Sequence, residues 1–166
     1  MLKELGAVVV CPESKIKQLG ITIKSLQNLV LDSNVIAVTP NKSFDIENIK
    51  TIQGNCSRQT SDFTPALINQ GLNSTKTSWN LVIIAGFKIK LSVFKKIELF
   101  VSRENDILYP INSKRSCIED GLTWMVFNKV LFKKSQFNED LFFEQAKFIW
   151  LHNMLQEGCQ LKGIFG

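Results

Sequence analysis

A chain of 166 residues with 45% hydrophobic and 21% charged residues can bury a full core in one domain, which excludes disorder. Its 20 Lys and Arg against 15 Asp and Glu leave a net charge of +5, but the densest basic groups are only the pairs Lys95-Lys96, Lys114-Arg115 and Lys133-Lys134. A nucleic-acid binder concentrates cations on one face or stripe, so no nucleic-acid partner is expected; the excess reads as a solvated basic surface or as attraction to phosphate-bearing ligands or an anionic membrane surface.

Phe is abundant, at 12, and Tyr nearly absent, at 1, a balance that suits an apolar core better than a wet recognition surface. Cys11, Cys56, Cys117 and Cys159 are far apart, which argues against a zinc ribbon or a disulfide framework. His152 is the only histidine, so a multi-histidine metal site is excluded; it falls in a helical run with Trp150 and Met154, where a structural role is expected. The opening residues lack a signal-peptide pattern, and no apolar run reaches the roughly 20 residues that span a bilayer. A reduced, cytoplasmic protein without a transmembrane segment is the expectation.

In chain order, residues 6–12 read as a buried strand stopped by Pro12, followed by a turn through Glu13. Ile16, Leu19, Ile23, Leu26 and Val30 recur at helical spacing, predicting a helix within 16–31. Residues 35–39 are a second buried strand, stopped by Pro40, which completes a βαβ unit and predicts a parallel pair. Residues 49–53 alternate and predict a short third strand; 56–64 form a polar loop, and Pro65 suits the first turn of the next helix.

The stretch from Ala66 to Gly86 is the organising unit. Ala66, Leu67, Ile68 and Leu72 predict a helix, a polar turn follows, and 79–84 is an apolar run rich in branched residues, expected to be a strand buried on both faces. It ends in Ala85-Gly86, where a backbone can approach a ligand closely. Helix, turn, buried strand and small-residue tip are the parts of a ligand crevice at the carboxyl end of a parallel sheet.

Residues 87–93 and 97–101 alternate apolar with charged side chains and suggest strand or short helical pieces near the surface. Residues 107–110 read as a proline-stopped strand, 112–120 as a polar loop, and 121–132 as a strand with a following turn of helix. Asn138-Glu139-Asp140 is expected to cap and open a final helix running through Phe142 and Trp150 to Leu155, with Gly158 as its C-cap. Residues 160–164 are a last short strand, and no linker or repeat divides residues 1–166.

Neither Gly-x-Gly-x-x-Gly nor Gly-Lys-Ser/Thr is present, so Rossmann dinucleotide and P-loop readings lose their main support; without Gly-x-Ser-x-Gly a hydrolase elbow does too. The ordered segments VVVCPESKIKQLGITIKSLQNL, NVIAVTP, ALINQGLNSTKTSWNLVIIAG and FNEDLFFEQAKFIWLHNMLQEGCQLKGIFG resemble those of a family-2-type glycosyltransferase of the GT-A fold, a nucleotide-diphospho-sugar transferase superfamily. The resemblance implies a three-layer α/β domain with a mainly parallel central sheet. It also implies a nucleotide-sugar donor and a glycan, lipid or protein acceptor, with Pro12, Glu13, Thr39, Asn69 and Gly86 at the donor; Lys88 is added to these as a phosphate-facing cation.

The chain departs from that family at its charged landmarks. The metal-binding Asp-x-Asp aligns with Ile84-Ala85-Gly86, the acid ending the second strand with Thr39-Pro40, and the late Glu-Asp pair with Ala146-Lys147. Diphosphate charge needs neutralising, by a divalent metal on carboxylate oxygens or by a cation such as Lys88. With the tip lacking both carboxylates, no metal ligand is assigned and the cofactor stays undefined. Asp120, before Gly121 at a loop-to-strand junction, is the candidate base; Glu119, Glu139 and Glu144 are the other acids considered. The alternative is a catalytically degenerate binding module of the same fold.

Overall fold

The computed structural model describes residues 5–40, 45–54, 64–101, 103–111 and 123–165. Its frame is a seven-stranded sheet in the order β3-β2-β1-β4-β6-β5-β7, formed by β1 (Leu5–Val10), β2 (Val35–Thr39), β3 (Lys50–Gln53), β4 (Trp79–Ile84), β5 (Asp106–Ile111), β6 (Trp124–Asn128) and β7 (Gln160–Phe165). β1 pairs parallel with both β2 and β4, β2 pairs parallel with β3, and β5 with β7; β6 runs antiparallel to β4 and β5. The fold is three-layer α/β with a mainly parallel sheet.

The central strands read as continuous apolar runs because both sheet faces are covered. Alternate residues of β1 serve opposite cores. Ala7 and Val9 face the side of α1 (Leu19–Leu26) and α3 (Leu91–Phe100), packed through Leu19, Ile23, Val93, Phe94 and Ile97. Val8 and Val10 face α2 (Thr64–Ser74), α4 (Lys129–Lys134) and α5 (Phe143–Gln156), packed through Leu67, Ile68, Phe132 and Trp150. Each such side chain withdrawn from water contributes about 1.5–3 kcal/mol.

Several local expectations are corrected. A 3-10 segment over Glu13–Gln18 precedes α1, which ends at Leu26, short of the predicted boundary. Residues 91–100 form one regular helix: Val93, Phe94 and Ile97 lie on its buried side, and the alternation resembling a strand was the exchange of that face with Lys95 and Lys96. Pro110 lies inside β5, paired with Ile164; β6 pairs only with Ile107 and Leu108, so the missing N–H costs no bond on that side. Asn138 does not cap the last helix, whose N-cap is Phe142; its Oδ1 accepts from the Asp140 N–H in a separate turn. Gly158 ends that helix with φ +82°, as a C-cap glycine should. No helix among the described residues is long and apolar enough to cross a membrane.

α2 lies close on the sheet because Gly71 has no side chain. A Cβ there would collide with Val8 Cγ1 and approach Val38 Cγ2 to 2.9 Å. Both valines belong to fully buried strands that cannot shift. Gly71→Ala should therefore destabilise the fold by about 1–3 kcal/mol, read as a lower urea midpoint with an unchanged m value.

Candidate functional site

The carboxyl ends of β1, β2, β3 and β4 lie along one edge. Backbone bonds extend the pairing one residue beyond each strand: Cys11 N–H donates to Val38 O (2.9 Å), Ala85 N–H to Val10 O (2.8 Å) and Gly54 N–H to Thr39 O (2.8 Å). At inter-strand spacings near 4.8 Å, Thr39, Pro12 and Gly86 follow neighbouring strands over about 10 Å. Pro12 (φ −56°) cannot continue the strand and turns the chain away, leaving Glu13 exposed at the first turn of the 3-10 segment. Thr39 is fully buried, Lys88 is exposed two residues past Gly86, and the edge is thus assembled from Pro12, Glu13, Thr39, Gly86 and Lys88.

Gly86 is conformationally required, with φ +102°. Its N–H donates to Thr22 Oγ1 (2.9 Å), and the Thr22 hydroxyl donates to Phe87 O (2.8 Å). Ser25 Oγ donates to Thr22 O (2.7 Å) and accepts from Ile89 N–H at 3.5 Å. The close approach expected at Gly86 is realised within the protein: a Cβ would collide with Gln18 Oε1. Gln18 and Thr22 carry no sequence motif, and Ser25, part of the Ser25-Leu26 pair in the family-like segment, is given no role by it. The available signal was Thr22, a polar residue inside the apolar Leu19–Ile23–Leu26 stripe.

Asn69 sits elsewhere. It is 2% exposed, donates through Nδ2 to Phe137 O (2.8 Å) and Glu139 Oε1 (2.9 Å), and accepts from Phe137 N–H through Oδ1 (3.0 Å). Its amide clamps the segment between α4 and α5 against α2, and the structure gives it that packing role. Phe137 in turn stacks on Trp150 at 4.8 Å.

Asp120 and Glu119 lie outside the described residues. The two other acids considered are engaged: Glu139 accepts from Asn69, and Glu144 Oε2 is 2.7 Å from Lys147 Nζ. Lys147 has no exposed side-chain surface and stands 5.2 Å from the Phe143 ring centroid and 5.6 Å from that of Phe148. That position holds a buried cation whose counter-charge is one helical turn away on Glu144.

The β4 tip does not fit a carboxylate-held divalent metal. Ile84 and Ala85 offer no side-chain oxygen, Ala85 is fully buried, and no group of three or more His, Cys, Asp or Glu among the described residues could hold an ion. Cys11 also lies at this edge, but burial raises its thiol to about 11, so it is protonated at neutral pH and is no nucleophile there. A cavity of about 530 Å³, open to solvent, is lined by Lys134, Ser135, Asn153, Met154, Gln156 and Glu157, around the C-terminal half of α5 and away from the carboxyl edge.

Comparison of the sequence with protein-family models and with curated proteins gives no match. Solved structures do match by shape. S. aureus TarS residues 1–349 gives a TM-score of 0.67 at 13% identity, over 97% of this chain and 58% of that one. The bifunctional IspDF of Campylobacter jejuni gives 0.65 at 12% identity over 98% and 50%, and the 4-diphosphocytidyl-2C-methyl-D-erythritol synthase of Anaerococcus prevotii 0.64 at 15% over 99% and 89%. TarS also matches in its complex with UDP-GlcNAc, at a TM-score of 0.55 and 13% identity over 82% and 49%. The chain spans about half the length of the first two. At these identities the likeness establishes the fold alone: a three-layer α/β domain with a mainly parallel sheet, shared with these proteins.

The Thr22 bridge should be measurable. Thr22→Val keeps the shape but leaves the Gly86 N–H and the Phe87 carbonyl without their partner, at about 1–3 kcal/mol. Chemical denaturation should show that loss and Thr22→Ser should recover most of it. Cys11 should resist alkylation at pH 8 in the folded protein and react once unfolded by urea.

Proposed function

We propose that this domain binds a nucleotide-diphosphate sugar at the carboxyl edge of β1, β2 and β4 and transfers the sugar to an acceptor hydroxyl without a carboxylate-bound metal. The observation that carries the reading is the edge itself. In open α/β sheets, ligands occupy the crevice beyond the carboxyl ends of strands whose connections leave in opposite directions. β1 has that position, with β2 on one side and β4 on the other, served by α1 and α2 on opposite sheet faces. The matched complex of TarS with UDP-GlcNAc supports the choice of donor class.

Each residue has a defined task in this reading. Pro12 and Glu13 shape the turn beside the nucleotide, Thr39 closes the floor, and Gly86 sets the tip. Lys88 offsets diphosphate charge as a point cation in place of a metal. Asp120 takes the acceptor hydroxyl proton as that oxygen attacks the sugar carbon and the nucleoside diphosphate leaves.

Titration with UDP-, GDP- and CDP-sugars should show saturable binding that survives EDTA. Lys88→Gln should weaken binding about tenfold, and Asp120→Asn should lower turnover by about 10²–10⁴ with donor affinity kept. Absence of binding across the panel would sink the reading; binding with no transfer to any acceptor would leave the binding module. A second reading, nucleotidyl transfer, is favoured by the match in size to the A. prevotii synthase, of which this chain covers 89%. Incubation with CTP and a phosphorylated alcohol separates the two, because nucleotidyl transfer releases pyrophosphate and sugar transfer does not.

A further inference from the structure

We propose that the outer face of α3, with the turn that leads into it from β4, docks on the surface of an anionic lipid bilayer. This inference is independent of which group the domain transfers.

α3 is amphipathic towards the sheet: Val93, Phe94 and Ile97 are buried and complete the core on that side. Its remaining apolar residues are therefore surplus to folding. Leu91 is 58% exposed, Leu99 79% and Phe100 45%, and Phe87, in the preceding turn, is 39% exposed. Scattered surface leucines need no explanation. These are not scattered: Leu91, Lys95 and Leu99 succeed one another at intervals of four on the solvent side, with Lys96 and Phe100 beside them. Lys96 Nζ donates to Phe165 O at 2.9 Å, which brings β7's terminal residue, itself 53% exposed, to the margin of the same face.

The charge around this face identifies the partner. Lys88, Lys90, Lys95, Lys96 and Arg103 lie on or next to α3, with Glu98, partly buried, as the acid on the helix. These cations all lie within residues 88–103, on α3 and the turns that flank it, and outnumber the acids there, Glu98 and the exposed Glu104. A polyanion such as nucleic acid would be held by the cations and would leave Leu99 and Phe100 in water. A bilayer with anionic headgroups satisfies both sets: lysines meet lipid phosphates while leucine and phenylalanine enter the headgroup–acyl boundary. The outer side of α5 also exposes Phe148, Ile149 and Leu155, but the helix itself carries Glu144 and His152, and its one lysine, Lys147, is buried, so it offers no exposed lysine of its own to meet lipid phosphates.

Docking through α3 would set Phe87 and Lys88, just past the β4 tip, near the membrane. The test is co-sedimentation of the full chain with vesicles of phosphatidylcholine alone and with about one third phosphatidylglycerol. Retention on anionic but not neutral vesicles is expected, weakening with added salt. Lys90→Glu with Lys95→Glu should lower the partition coefficient by about tenfold or more, and Leu99→Gln with Phe100→Gln by a similar factor. All four side chains are exposed, so thermal melting of both double variants should match the parent. No retention on anionic vesicles, or equal retention on both kinds, overturns the proposal. Binding that falls with the lysine changes but ignores the Leu99 and Phe100 changes also overturns it, and assigns the face to a soluble polyanion.

Discussion

The structure depends on β1 being buried on both faces and paired on both edges. Its residues from Leu5 to Val10 are all buried; they pair with β4 throughout and, from Ala7 to Val10, with β2 as well, so backbone groups that would otherwise be costly there find partners. That requirement selects the apolar, largely β-branched sequence Ala7-Val8-Val9-Val10, since neither face can hold a solvated side chain. It also fixes the parallel neighbours, and hence the edge at which Cys11, Thr39 and Ala85 end their strands. That edge is a consequence of satisfying the centre of the sheet.

The rigidity of that edge comes from α1. One hydroxyl, on Thr22, accepts from Gly86 and donates to the Phe87 carbonyl, so the turn after β4 is tied to the helix after β1. Ser25 adds a further contact at Ile89. A tip rich in small residues would ordinarily have many conformations; here its left-handed glycine is held from the side. The same bonding consumes the Gly86 N–H, so a ligand meeting this tip would find a backbone donor already engaged.

The elements dominated by periodicity were legible in the sequence. β1, β2 and β4 stood out as branched apolar runs, the βαβ order gave the parallel pairing of β1 with β2, and the α2–β4 unit was recognisable from Ala66 onward. Where two patterns overlapped, reading failed. In 91–100 the lysines fall between apolar residues at short intervals and imitate a strand, and only the sheet reveals which apolar residues face inward. Pro110 looked like a stop because sequence cannot show that β6 has withdrawn from β5 at that point. Long-range polar contacts were harder still. Asn69 and Phe137 are 68 positions apart, as are no residues that a local pattern can link; Thr22 differed from its neighbours only by one hydroxyl on an apolar face.

The β4 tip carries apolar and small residues and the start of α5 carries a buried cation, Lys147. In the proposed reading a diphosphate at the carboxyl edge needs its charge offset, and a divalent ion or a cationic side chain could do so. The two solutions differ in geometry. A divalent ion needs several oxygen ligands at short, ordered distances, whereas Lys88 is a flexible point charge in high-dielectric surroundings, where its attraction is weakened by water and salt. Lys147 does not substitute for it, because burial obliges it to remain paired with Glu144. A donor held by Lys88 would therefore be bound more weakly and with greater salt dependence than one held through a metal, and its orientation would depend on the fixed parts of the edge: the Pro12 turn, the Thr39 floor and the tip that Thr22 holds in place.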